Sequence, residues 1–474
     1  MTQASSAIAR KDLTEFVRDR RLGVAALVVL ILALAAVAVS FVRIDSHERD
    51  RTYAEALDRE TWLNQGPRNP HSAAHFSSWA MRPITPLAVL DPGVGPYAGN
   101  AIWMEAHNQN PPRNRPARDN ASAFDLGQFS VGWVLQLLAP LLLFVVGAGL
   151  IARERERGTL RLMLVSGADA SSLVARKLGV LGRIAAMMIL PIAAAAVAAI
   201  ALLPGANAAD EGWRVAIWGG SYAIYLFVAV VIAIAVSAMS ASTSRAMMLL
   251  IGLWLGATLL VPRMAASVAA VVAPAPPAEV FAAEIARDRA TQASGHDGSE
   301  EAFVQSVLRR YGVTSEADLP VSLAGLELEE SERQGNLIFD RRFGELEAVY
   351  TRQREAARLA GVVSPLVSIQ NISMALSGTD MASQIAFQRQ AEMHRRSVIT
   401  LLNNDMAKHG KGQDFDYLAD PKLWSTIPVF VYQPLPLGVV VQLVWPDLLI
   451  LLAWCALAFF LLARARRHIS SSAL

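Results

Sequence analysis

Six apolar runs, at about residues 22–42, 130–151, 181–203, 215–239, 246–272 and 445–463, set the narrowest limit on how this 474-residue chain can fold. Each is about as long as the ~17–25 helical residues needed to cross a ~30 Å hydrocarbon layer. Lipid offers backbone groups no hydrogen-bond partner, so such runs must be helices that satisfy their own N–H and C=O groups. A content of 53% hydrophobic and 18% charged residues, with a mean hydropathy of +0.34, agrees with that and lies outside the range of ordinary soluble domains. The expected fold class is therefore an all-α membrane protein, a six-helix transmembrane bundle in a lipid bilayer. No nucleic-acid partner is expected.

Lys and Arg orient the bundle, because short basic loops stay in the cytoplasm. Arg10, Lys11, Arg18, Arg20 and Arg21 precede the first run, Arg153 to Arg157 and Arg176-Lys177 follow the second, Arg245 follows the fourth, and Arg464, Arg466 and Arg467 follow the sixth. Both termini are thus expected in the cytoplasm, with residues 464–474 as a short tail. Within residues 1–21, Ile8, Leu13, Phe16 and Val17 share a face amid Lys11 and Arg18, which predicts an interfacial helix. The first run exceeds the ~7–15 residues of a signal-peptide core, so it is read as an anchor.

Segments 43–129 and 273–444 then fall outside. The first is rich in Pro, Asn and Gly and should be loop-rich with short elements. The second has apolar residues at helical spacing in Ala278 to Arg289, Glu300 to Tyr311 and Glu327 to Leu359. Together they are expected to build one mainly helical extracytoplasmic domain. Cys455 is the single cysteine and lies mid-span, so no intrachain disulfide can form. A large external domain without disulfides suits the periplasmic side of a bacterial inner membrane.

The cytoplasmic connection 152–180 carries the densest pattern. Charges alternate from Arg153 to Arg157, Gly158 interrupts, and Thr159 leads into Leu160, Leu162, Met163, Leu164 and Val165 before Ser166-Gly167. A helix should leave the membrane, turn at Gly158 with positive φ or a helix end, and restart as a short amphipathic helix capped by Thr159. Such a helix suits a partner's groove. Glu154-Arg155-Glu156-Arg157-Gly158-Thr159-Leu160, with Leu164 and Arg176-Lys177, resembles the cytoplasmic signature of ABC-2-type transporter permeases. The resemblance implies that Arg153, Glu154, Glu156, Gly158, Thr159, Leu160 and Leu164 couple to a separate ABC ATP-binding subunit, and that the permease pairs with itself or a sister permease. Asn69 to Phe76, Arg82-Pro83, Thr85 to Ala88, Leu90 to Gly93 and Glu105 to Asn110 resemble a bacterial subfamily with a large periplasmic insertion of unassigned function. So do Ser364-Pro365, Leu376 to Asp380, Phe387, Glu392 with Arg395, and Asn403-Asn404.

Outside that pattern, His71 and His75 are four residues apart and His107 could add a third metal ligand. The metalloprotease Glu of His-Glu-x-x-His is missing, and Pro70 permits a turn as readily as a helix. The favoured reading is that these histidines hydrogen-bond loop backbone and bind no metal. Glu327, Glu329, Glu330 and Glu332 read as a solvated helix face, and Thr379-Asp380 as a turn or helix N-cap. Gly410-Lys411-Gly412 lacks the spacing of a phosphate loop. No catalytic residue is assigned; the chain is expected to bind no cofactor, with ATP and Mg on the partner subunit. Arg183, Arg263 and Asp447 lie near span ends and are expected to snorkel. Pro140, Pro191 and Pro262 should kink their helices.

Three functions remain open: a transporter subunit, with export the expected direction; an ATP-driven mechanotransmitter acting on a periplasmic or envelope partner with no cargo crossing; and, weakest, a membrane-anchored metal-dependent hydrolase.

Overall fold

A computed structural model describes residues 20–76, 78–115, 129–203, 208–294 and 297–471. The interfacial helix expected around Lys11, Phe16 and Arg18 lies outside them. The described residues are 79% helical, and among them six helices are long and apolar enough to cross a membrane, which makes this a multi-pass membrane protein.

In chain order, α1 (Arg20–Leu63), α2 (Pro70–Phe76), β1 (Ser78–Met81), β2 (Ala101–Glu105) and β3 (Asn108–Gln109) precede α3 (Val131–Glu156), α4 (Thr159–Val165), α5 (Ala170–Leu202), α6 (Ala208–Met239) and α7 (Thr243–Val272). After these come α8 (Ala278–Ser294), α9 (Asp297–Tyr311), α10 (Leu323–Arg358), α11 (Pro365–Leu376), α12 (Met381–His409), α13 (Lys422–Thr426) and α14 (Leu437–Ser471). The candidate spans are α1, α3, α5, α6, α7 and α14.

The first helix does not stop where its apolar run does. Its 44 residues make a rod of about 66 Å, roughly twice the hydrocarbon thickness. Residues 43–63 contain no Gly or Pro, and Arg51 bonds both Glu48 and Glu55 along one face at 2.8 and 2.7 Å, with Arg49 pairing Asp45 nearby. Gly66, at φ +70°, marks the turn beyond it.

The prolines act through wide turns. Residues 134–138 and 256–260 form π turns that end immediately before Ala139-Pro140 and Val261-Pro262. A proline ring lacks an N–H and collides with the carbonyl four residues back, and a π turn absorbs both defects. Pro191 and Pro446 lie inside α5 and α14.

α6 is the centre of the bundle, packed against α3, α5, α11 and α14, with Val231, Ala233 and Ile234 fully buried. Gly147 of α3 meets Ala233 so closely that an added Cβ would lie 2.6 Å from the Ala233 methyl. Ser237 stitches the same pair, accepting from the Ile151 and Ala152 amides and donating to the Ala148 carbonyl.

The inter-span domain departs from expectation twice. It holds a three-stranded antiparallel sheet in order β1-β2-β3, pairing Trp79 with Trp103 and Glu105 with Asn108. Its alternation turns Ala80, Ile102 and Met104 inward onto Phe387 and Tyr432. In addition, α11 leaves the domain and enters the bundle core through Leu366, Ile369, Ile372 and Leu376. At 12 residues, about 18 Å, it is too short to cross a membrane. The expected helices in 278–289 and 300–311 appear within α8 and α9, and the one expected in 327–359 appears within α10 as far as Arg358.

Asp447 does not snorkel. It is fully buried, accepting from Arg358 Nε and Asn371 Nδ2, each at 2.9 Å, which ties the head of α14 to α10 and α11. Arg183 and Arg263 are exposed.

Candidate functional site

The connection between the second and third spans forms an elbow. Arg157 closes α3, and Gly158 follows at φ +71°, a left-handed conformation that strains any residue with a Cβ. Gly158, not Thr159, occupies the cap position of α4; a Cβ-less residue is needed there, and no side chain caps the helix. The Thr159 hydroxyl instead turns back to the Glu154 carbonyl oxygen at 3.1 Å and to the Glu154 carboxylate. Glu154 and Leu160 are buried. Arg155 donates to the Ser240 carbonyl at 2.6 Å, and Glu156 accepts from Thr243 at 2.7 Å, so the elbow is braced on the α6–α7 connection. Gly167, at φ +92°, ends α4, and Asp169 caps α5 through the Ser172 amide.

Of the residues expected to couple, Glu154 and Leu160 point inward, Thr159 and Leu164 are half-buried, and Arg153, Glu156 and Gly158 lie at the surface. Leu162 and Val165, read in the sequence as part of this helix's apolar run but not among the coupling residues, are its most open apolar side chains, exposed at 66% and 73%. They are three apart beside exposed Arg161, and form an apolar step that the molecule itself leaves bare.

A second constellation seats the inter-span domain on the bundle. Gln136 donates to the Tyr222 hydroxyl, Tyr222 and Trp218 donate to Ser373 Oγ, and Ser373 donates to Asp91 Oδ2 at 2.6 Å. All five are buried, and burial raises the Asp91 carboxyl above its ordinary range against the bonds from Ser373 and the Gly93 amide. Arg82, also buried, donates to Gln384 and to the Gly378 carbonyl, and Thr85 donates to the Ser377 carbonyl. Gly93, at φ +50°, presses on Thr379, where a Cβ would fall 2.5 Å from the Thr379 carbonyl oxygen. The stretches 82–93 and 376–384, far apart in sequence, therefore meet at one joint. Asp380 is the N-cap of α12, bonding the Ser383 amide. Beside the joint opens a cleft of about 1010 Å³ lined by Asp45, Glu48, Arg51, Asp210, Arg214 and Tyr432, among others.

The third constellation gathers the histidines of the first inter-span segment. Asn69 Oδ1 accepts from the His71 and Ser72 amides and Pro70 opens α2, so this stretch is a helix rather than the turn its Pro permitted. His71 and His75 share one face with their Nε2 atoms 3.3 Å apart. His107, at φ +64° between β2 and β3, brings its ring within 5.2 and 5.1 Å of theirs, and one ligand atom from each of the three lies within 4.8 Å of the others. The expected bonds from these side chains to loop backbone are not what brings them together. Glu332 Oε1 accepts both the backbone amide and Nδ1 of His107, each at 2.7 Å. Arg395 holds Glu332 Oε2 at 3.2 Å while bonding Glu392 and Asn336.

The acidic run is therefore not a uniformly solvated face. Glu332 is 5% exposed, Glu329 accepts from Thr400 and Asn403, and Glu330 pairs along its own helix surface with Arg333. Burial raises the Glu332 carboxyl, but the His107 hydrogen bond and the Arg395 charge outweigh it and hold the group below its usual range. Burial, reinforced by His75 and His107, lowers His71 to about 4.

Residues 280–433, the greater part of the second inter-span segment, match a family described as Domain of unknown function (DUF3526). No curated protein matches the chain.

Proposed function

We propose that the chain is the permease subunit of an ABC-2-type transporter in a bacterial inner membrane, with both termini cytoplasmic and its energy supplied by a separate ATP-binding subunit carrying ATP and Mg. The observation that carries this reading is the elbow at 153–167. It is internally braced by Glu154, Thr159, Arg155 and Glu156, yet presents Leu162 and Val165 bare at the end of two spans. A rigid elbow with an apolar step is what a groove on a moving partner could grip and push. The permease pairs with itself or a sister subunit; α7 offers the exposed apolar face of Leu253, Leu260, Met264 and Val268 for lipid or for that neighbour. Export is the direction proposed, with the inter-span domain in the periplasm receiving or gating cargo above the cleft at the bundle head.

The test is mild detergent purification of the full chain with mass spectrometry of its companions. An ATPase subunit should co-purify and be lost on Leu162→Glu or Gly158→Ala while the chain stays monodisperse. Absence of an ATPase under conditions that preserve subunit pairing would refute the assignment.

One observation favours a second reading, an ATP-driven mechanotransmitter acting on an envelope partner. α1 runs unbroken from the bundle into the inter-span domain, and Trp62 near its far end donates to the Trp424 carbonyl, so displacement of the span would carry the domain with it. Cargo accumulation in sealed vesicles containing the purified complex would exclude this as the whole activity.

A further inference from the structure

The histidine cluster plays no part in the proposed coupling and stands apart from it. We propose that His71, His75 and His107 form a zinc site: three imidazole ligands to one Zn²⁺, with a fourth position for water or a small exogenous ligand.

Zn–N bonds of about 2.0–2.1 Å in a tetrahedron set the ligand nitrogens about 3.4 Å apart. His71 and His75, one helical turn apart on α2, stand at 3.3 Å already. One ring nitrogen from each of the three histidines lies within 4.8 Å of the others, so closing on an ion calls for a shift of His107 on the order of 1 Å, the scale of a small ring rotation.

The tautomer of His107 is set for coordination. Its Nδ1 faces Glu332 Oε1 at 2.7 Å, which places the proton there and leaves the Nε2 lone pair free to bind. Glu332 is anchored in turn by Arg395, itself 2% exposed and bonded to Glu392 and Asn336. A carboxylate behind a ligating histidine is the usual outer-shell device that orients the ring and raises its basicity.

The donor set selects the ion class. Three nitrogens without a carboxylate exclude a calcium- or magnesium-type site, which requires oxygens. An i,i+4 pair plus one ligand from a turn gives a pyramid rather than the square that Cu²⁺ favours. Glu332 is committed to His107 and Arg395, so it is not placed as a general base, and the hydrolase reading finds no support in it. What the ion would do is mechanical. It would join α2 to the β2–β3 turn and, through Glu332 and Arg395, to α10 and α12, fastening the first inter-span segment to the second.

The test uses the full chain in detergent, stripped with chelator, incubated with ZnCl₂, desalted and assayed for metal. The expected result is one zinc per chain for the native sequence, with retention falling at least tenfold in His71→Ala and in His107→Ala. Glu332→Gln should weaken zinc affinity by about 10–100-fold. Co²⁺ in place of zinc should give the intense visible bands of tetrahedral coordination, shifted by added azide at the open position. Should His107→Ala fail to fold, His75→Ala replaces it, since His75 is exposed and its loss leaves no buried gap. No zinc retained by the native chain, stoichiometric zinc unaffected by the histidine changes, or copper retained where zinc is not would each overturn the proposal.

Discussion

In the bundle, α6 buries its own Val231, Ala233 and Ile234 and meets α3 at the small-residue contact with Gly147, and the buried charged groups of the spans, Glu154, Lys177, Arg214 and Asp447, all lie toward span ends. The inter-span domain is held differently. Arg395 sits under Glu332, Glu392 and Asn336, Arg396 bridges Glu392 and Asp340, and Arg342 bridges Asp288 and Glu284, while the apolar clusters around Trp424 and Phe387 are small. Lipid makes burial of charge costly and apolar contact weakly discriminating, so the bundle relies on close shape fit. A domain of long helices in water has little core per residue and positions its helices with paired charges, which fix register but leave it vulnerable wherever one partner is lost.

The largest effect that would break or sharpen this contrast is expected at Arg395. Arg395→Met removes the cation shared by two buried carboxylates, leaving Glu392 with Arg396 and Glu332 with His107, and should destabilise the inter-span domain by about 3 kcal/mol. Limited proteolysis should then cut within 273–436 while the spans stay protected; equal loss of both regions would show that the two are one cooperative unit. Next is the joint between them. Ser373→Ala removes the acceptor of Trp218 and Tyr222 and the donor to Asp91, at a cost of about 1–3 kcal/mol. Thermal unfolding followed by Trp218 fluorescence should show the domain releasing from the bundle before the bundle melts.

A smaller change is expected at the elbow. Gly158→Ala should cost about 1–2 kcal/mol for the left-handed backbone, seen as a modest fall in melting temperature. Under the permease reading, partner-stimulated ATPase activity should fall by far more than that fraction. The smallest is Leu162→Ala, an exposed site where stability should move by no more than about 0.5 kcal/mol. Loss of ATPase co-purification without loss of stability there would mark α4 as a contact surface, whereas an unchanged complex would move the contact elsewhere.

Much of the architecture can be read in the chain. The six apolar runs locate the spans because hydrocarbon thickness and backbone hydrogen bonding leave no other structure for them. Gly158 and Gly167 announce the elbow because only glycine is at ease at positive φ. The joint and the histidine cluster are less legible. Glu332 lies in an acidic run whose composition resembles a solvated face, and nothing local shows that it turns toward His107. The pairing of Glu392 with Arg395 at helical spacing can be read locally, but such spacing is that of a surface pair and does not show that this one is buried.

Local chemistry alone thus determined where the six spans lie, the elbow and the absence of any intrachain disulfide, because hydropathy, glycine and a single cysteine act within a few residues of themselves. Only the tertiary structure decided that α1 continues into the inter-span domain, that α11 returns to the bundle, that Asp447 is buried with Arg358, and that His71, His75 and His107 converge over Glu332. Those outcomes depend on which distant faces cover one another, and packing between elements hundreds of residues apart leaves only a faint mark on either partner by itself.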